Sequence, residues 1–262
     1  MPISEDWMPW IFGLGLNSLL AAIAWVVPKK LLTPAGLFHA WALGVITWGT
    51  LGWRGYGVML VYFLVGSAVT RIGMERKEAA GIAEQRSGAR GPENVWGSAL
   101  TATLCALGAY AVGGTQSVNT WTAVSLLVLG YVASLSTKLS DTCASEVGKA
   151  YGQRTFLITT FEPVSPGTEG AVSLEGTLAG LVGAAAIALV AWAVHLITPL
   201  EIPLCIVAAF VATNLESVIG ATLQDRYSWL TNELVNIINT LIGAVVAIAL
   251  VVGIQAWFGV RL

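Results

Sequence analysis

The sequence predicts an all-α protein, a polytopic bundle of about eight transmembrane helices. Three observations predict it. The 262 residues are 56% hydrophobic and 11% charged, with mean hydropathy +0.75, whereas soluble domains carry about 25% charged residues. Apolar stretches of spanning length recur along the whole chain. Of 28 charged side chains (13 basic, 15 acidic), 21 fall in three windows, residues 70–97, 138–175 and 213–236. An ionised group at a helix centre costs about 2.5–3.5 kcal/mol on insertion scales. Such concentration predicts that the windows build one polar site within a single integral-membrane domain, residues 1–262.

The spans are expected near 9–27, 36–53, 55–70, 98–114, 119–137, 176–198, 202–222 and 235–258, since about 17–25 residues cross the hydrocarbon. The first follows an acidic lead, MPISEDWMPW, unlike a signal or transit peptide, so insertion without cleavage is expected. Only Arg54 and Gly55 separate the second span from the third. Pro92-Glu93-Asn94 reads as a helix start ahead of the fourth. Gly176, Gly180 and Gly183 are spaced to bring the sixth against a neighbour. Trp7, Trp10, Trp25, Trp53, Trp96, Trp121, Trp229 and Trp257 fall near expected ends, where indoles favour the interface.

Orientation follows from Lys and Arg. Eleven of the 13 lie in connections on one side, and the other keeps only Arg54 and Arg261. The positive-inside rule then puts both termini on the non-cytoplasmic side and all three windows in the cytoplasm, in a bacterial-type inner or thylakoid membrane. A net charge of −2 offers no basic stripe for nucleic acid. Cys105, Cys143 and Cys205 lie far apart and read as small core residues. His39 and His195 each stand alone in apolar runs. No GxxxxGK[ST] loop, HExxH or GxSxG motif occurs.

The first window, TRIGMERKEAAGIAEQRSGARGPENVWGSA, sets Gly81, Gly88, Gly91 and Gly97 among Arg71, Lys77, Arg86 and Arg90. Glycines let backbone N–H groups approach an anion; the alternative is a solvated cationic loop. In SDTCASEVGKAYG, Asp141, Ser145, Gly148 and Gly152 share a helical face, and Ala144, Gly148 and Gly152 form a small-residue ridge. A carboxylate and hydroxyl facing such a surface suit a Mg²⁺–phosphate complex; a closely packed re-entrant helix is the alternative. Glu169 and Glu175 follow among further glycines. The third window carries Asn214, Ser217 and Gln224 near one face, then Asn232, Asn236, Asn239 and Gly243 at i, i+4, i+7 and i+11. Glu216 lies within the seventh span, and an intramembrane carboxylate is a functional-site hypothesis by default. Interhelical hydrogen bonding is the alternative.

These strings resemble a known family. TRxGxxRKxxxGIAEQRxGxRGPENVWGSA, SDTxASEVGKAYG, PGTEGAVSLEGTLAG, NLESxIGAxxQ and TNExVNxxNTxIGA are similar to the polytopic membrane family that includes phytyl-phosphate kinase and the transmembrane protein 19 type. The resemblance covers about residues 36–250. More loosely, Ser140–Gly152 and Glu175-Gly176 resemble CTP-dependent phytol and dolichol kinases and CDP-diacylglycerol synthases. Ala171-Val172-Ser173-Leu174 stands here in place of that wider pattern's Lys-Lys/Ser-Thr run.

The resemblance implies transfer of a phosphoryl group from a nucleoside triphosphate, CTP, to phytyl or another prenyl monophosphate. The diphosphate would feed tocopherol or phylloquinone synthesis. Implied roles follow. Asp141 and Glu216 bind Mg²⁺, with Glu169 or Glu175 assisting, and Lys77 joins them in catalysis. Arg71, Lys77, Arg86, Arg90 and Lys149 contact phosphates; Asn94, Ser145, Asn232, Glu233 and Asn236 orient them. The expected partners are the nucleotide, the prenyl phosphate, the bilayer and a second copy of the chain as a homodimer. A transporter or flippase is the rival from another class, and nucleotidyl transfer to a lipid phosphate the rival among enzymes.

Overall fold

The computed structural model describes residues 7–27, 31–83, 88–113, 118–224 and 226–259. Helix α1 (Met8–Val26) is followed by α2 (Pro34–Val69) and short α3 (Met74–Ala79). Then come α4 (Pro92–Gly113), α5 (Val118–Tyr151), a hairpin of β1 (Thr155–Leu157) and β2 (Ala171–Ser173), and α6 (Leu174–Ala193). Helix α7 (Glu201–Ile219) runs into a π-helical turn, Gly220–Gln224, and α8 (Asn232–Phe258) closes the fold. Among the described residues, six helices are long and apolar enough to cross a membrane: α1, α4, α5, α6, α7 with its π turn, and α8.

The local chemistry explains where these helices begin. Thr33 accepts from Gly36 N at 3.0 Å ahead of Pro34, Ser173 from Gly176 N at 3.1 Å, and Thr231 from Leu234 N at 3.4 Å. Each hydroxyl satisfies one N–H that the first turn leaves unpaired. Glu93, Glu175 and Glu233 sit in the first turns of α4, α6 and α8, where the helix dipole favours negative charge.

Helix α2 is two helices in one run. Gly52 breaks it with φ 62° and ψ −160°, and the chain folds back. Thr47 Oγ1 reaches Met59 Sδ at 3.3 Å, although twelve residues of straight helix would separate them by about 18 Å. The break falls at Gly52 rather than at Arg54-Gly55, because this backbone region is essentially closed to side chains. A Cβ at Gly52 would meet nothing within 4 Å, so the cost of adding one is backbone strain alone. Gly52→Ala is expected to destabilise by about 1–3 kcal/mol, read as a lower unfolding midpoint in detergent; an unchanged midpoint would show that the turn tolerates a side chain.

Helix α5 is the axis of the bundle. Leu129, Tyr131, Val132, Ala133, Leu135 and Leu139 are fully buried, and α2, α4, α6, α7 and α8 all pack on it. Tyr131 Oη donates to Gly55 O at 2.7 Å, tying α5 to α2. Thr101 and Thr240 hydroxyls meet at 2.9 Å between α4 and α8. Gly176, Gly180 and Gly183 of α6 face α5: a Cβ on Gly176 would lie 2.6 Å from Ala144 O, and one on Gly183 2.8 Å from Cys143 Sγ. In a bilayer, such small-residue faces supply packing that water-driven burial does not. The three cysteines are free, with Cys143 and Cys205 buried. His39 accepts from Trp96 Nε1 at 3.0 Å.

The fifth span continues beyond its expected end at residue 137. The same helix carries SDTCASEVGKAYG as far as Tyr151, so this segment is the last turns of α5 and not a re-entrant loop. Its 34 residues reach about 50 Å at about 1.5 Å each, well beyond the roughly 30 Å hydrocarbon core.

Candidate functional site

The ends of α2, α4, α5, α6, α7 and α8 surround one cavity of about 480 Å³. Its walls draw on all three charged windows: Thr70, Arg90, Asn94 and Ser98 from the first, Lys138 to Ser173 from the second, and Thr213 to Asn236 from the third. At its floor three helices meet in a buried polar cluster. Lys138 Nζ donates to Asp141 Oδ2 at 2.5 Å, one helical turn along α5, and to Asn236 Oδ1 of α8 at 2.6 Å. Lys138 is only 7% exposed. Glu216 of α7 lies against Asp141 and accepts from Asn239 Nδ2 of α8.

The asparagine stripe of α8 divides by depth. Asn232 and Asn236 line the cavity. Asn239, fully buried, holds Glu216 beneath it. At Gly243 the stripe becomes packing, since a Cβ there would collide with Thr137 Oγ1.

A hairpin and its loop, the strap, form part of the cavity wall. Strands β1 and β2 pair antiparallel, Thr155 with Ser173 and Leu157 with Ala171. The loop between them contributes Pro166 to Gly170 to the walls. Gly170 has φ +76°, and a Cβ on it would collide with Ala221 Cβ and lie 2.7 Å from Ser217 O. Only glycine fits so close an approach with that backbone. It brings the Glu169 carboxylate to the α7 end, 3.5 Å from where a Cβ of Gly220 would stand. The π-helical turn then directs Gln224 to Asn232, where its Nε2 donates to Asn232 Oδ1.

The cations take two distinct places. Arg90 lines the cavity and donates from Nη1 to Tyr62 Oη at 3.0 Å. Its guanidinium lies over the Tyr62 and Phe63 rings, 5.5 and 5.9 Å from their centroids. Lys149 lines the wall above Asp141 and acts on its charge. Asn94 turns inward to accept from Gly91 N at 3.1 Å, holding the Arg90 loop in place. Ser145 and Glu233 also line the cavity.

Lys77, expected to contact phosphate as a catalytic residue, stands apart from the cavity. It is fully buried and does not line the cavity. Its ammonium pairs with Glu146 of α5 and donates to Thr70 O at 2.8 Å, so it clamps α3 to α5. Arg71 is exposed on the turn after α2, and Glu175 occupies the first turn of α6; neither lines the cavity. Arg86 lies outside the described residues.

Three residues central to the geometry do not stand out as site residues in the sequence. Lys138 enters there only through the orientation of the spans, although its position three residues before Asp141 on a helix is legible. Glu146, also on α5, needs its partner to be recognised. Asn239 belongs to the stripe, but its hydrogen bond to Glu216 depends on how α7 packs against α8.

A family model described as Integral membrane protein DUF92 matches residues 17–244. The chain is 62% identical over 253 residues to Uncharacterized membrane protein sll0875 of Synechocystis sp., covering 95% of each chain. It is 45% identical over 242 residues to Protein VTE6, chloroplastic, of Arabidopsis thaliana, covering 91% of this chain and 71% of that one. It is 32% identical over 246 residues to Uncharacterized membrane protein MJ0933 of Methanocaldococcus jannaschii, covering 93% of this chain and 96% of that one. No solved structure matches it.

Proposed function

Because the chain belongs to the Integral membrane protein DUF92 family, a family of multi-pass membrane proteins, we propose that it is a membrane kinase. It moves the terminal phosphoryl group of CTP onto a prenyl monophosphate, phytyl phosphate. One observation carries the reading. Charged side chains from all three windows line one cavity, where Asp141 accepts from the Lys138 ammonium with Glu216 against it, beside Arg90 and Lys149. The motifs that resemble phytyl-phosphate kinase supply Asp141, Glu216, Arg90 and Lys149, and the likeness to the chloroplast and cyanobacterial proteins fits a thylakoid or inner-membrane setting.

Phosphoryl transfer is achieved by positioning and charge stabilisation more than by covalent chemistry. Arg90 and Lys149 hold phosphate oxygens, Arg90 with the planar fork that suits bidentate contact. Lys138 has three donors, of which two are engaged by Asp141 and Asn236; the third serves the transferred group. The acceptor is already an oxyanion, so no residue has to remove its proton. Asn232 and Asn236 orient the bound phosphates, and the Pro166–Gly170 strap limits water.

The donor set fits Mg²⁺. Asp141, Glu216 and Glu169 bring carboxylate oxygens to one cavity, and Asn239 Oδ1 is a buried oxygen with no hydrogen-bond partner among the described residues. Among the described residues no group of three or more His, Cys, Asp or Glu forms a metal cage. Mg²⁺ instead uses one or two carboxylates together with phosphate oxygens and water. Asp141 and Glu216 would hold it, and when bound it neutralises charge on the phosphates.

The test incubates purified protein with phytyl phosphate and CTP labelled at either the γ or the α phosphate. Label entering lipid from the γ position alone is expected. Label from the α position would make the protein a nucleotidyltransferase, and label from neither would favour a transporter.

A further inference from the structure

A second cavity, of about 240 Å³, lies between α1 and α2. Leu20, Ile23 and Trp25 of α1, Leu32 from the connection, and Leu37 and Phe63 from the two halves of α2 give it apolar walls. Helix α1 is mostly exposed, so the groove is reachable from the bilayer without opening the bundle.

Arg90 stands between this groove and the polar cavity. Its backbone N donates to Leu31 O and its carbonyl accepts from Thr33 N, both at 3.0 Å, and Leu31 and Thr33 line the groove. Its guanidinium lies over Phe63, a groove wall, while Arg90 itself lines the polar cavity. Gly66 makes room for this path, since a Cβ there would sit 2.9 Å from Arg90 Nη2. Tyr62 Oη takes one of the five guanidinium N–H donors, which leaves this planar fork with donors to grip an anion. One side chain thus joins an apolar groove to a charged cavity. The ligand matching both is a phosphate carrying a long hydrocarbon chain.

We propose that the groove between α1 and α2 binds the prenyl chain of the phosphate acceptor, with Arg90 holding its phosphate at the cavity edge. The assignment rests on the kinase reading and names where that reading's lipid substrate lies.

Ala24 lines the groove and lies outside the polar cavity, so Ala24→Trp fills the groove alone. The KM for phytyl phosphate is expected to rise roughly ten- to hundredfold, the scale on which an apolar pocket discriminates. The KM for dimethylallyl phosphate should stay unchanged, as should kcat for both. An equal rise for the two acceptors, or no rise for either, overturns the proposal. A second measurement does not need turnover. A prenyl monophosphate carrying a terminal diazirine is photolysed with the full chain in nanodiscs, and label is expected on residues 20–27, 31–37 and Phe63, competed away by unlabelled phytyl phosphate. Label on Leu181 or Phe210, or competition only by a phospholipid, overturns it. Competed groove labelling without phosphoryl transfer would keep the lipid site and sink the kinase; transfer with label elsewhere would do the reverse.

Discussion

Asp141→Asn, in purified and correctly inserted protein, is expected to lower phosphoryl transfer by at least about 10²–10³-fold, the range seen when one preorganised charge-stabilising group is removed. The substitution keeps size and an oxygen that still accepts from Lys138, so the contact between α5 and α8 through Lys138 and Asn236 survives. What it removes is one negative charge from the cavity floor, where Asp141 and Glu216 face each other. The unfolding midpoint should therefore hold while turnover is lost. Wild-type activity in Asp141→Asn would show that this carboxylate neither holds a metal nor sets the position of Lys138. A matching loss of stability would make its role structural.

Lys77→Met is expected to destabilise the protein by up to about 3–5 kcal/mol, the range for breaking a buried ion pair, because Glu146 loses the ammonium that pairs with it. Lys77 is fully buried and Glu146 is 2% exposed, so water cannot replace the lost partner. Replacing both, Lys77→Met with Glu146→Leu, should recover most of the midpoint, since a buried pair and a well-packed apolar pair are often of similar stability. The measurement is the unfolding midpoint of each variant in the same detergent. A neutral single variant would mean the pair does not clamp α3 to α5. A double variant no better than the single would mean the cost is not the stranded charge.

Much of the architecture was legible because membranes impose a simple rule: backbone polar groups must be satisfied within the segment. Apolar length therefore located most of the helices, and Pro92-Glu93-Asn94 marked the start of α4. The sequence misled where propensity alone had to choose. The run from Ala123 to Tyr151 is one helix because the polar turns that begin at Lys138 find partners on α7 and α8. Read alone, they look like the end of a span.

The site shows the same division. Glu216 and the α8 asparagines stood out because they are polar within apolar spans, Asp141, Arg90 and Lys149 because they sit in charged windows among glycines, and all of them reach the cavity or its floor. Lys77 stood out on the same grounds but is buried against Glu146. Residue type records that a charge needs a partner. It does not record whether that partner is a ligand or another side chain.

The sequence by itself determined the helical membrane class, the order of its apolar segments, and the confinement of charge to three windows, since these depend on the local cost of placing groups in lipid. Tertiary structure alone decided that Gly52 turns α2 back on itself, that Lys138 and not Lys77 serves the cavity, and that Arg90 stands between it and an apolar groove. Those outcomes depend on contacts between residues far apart in the chain, whose distances no local pattern contains.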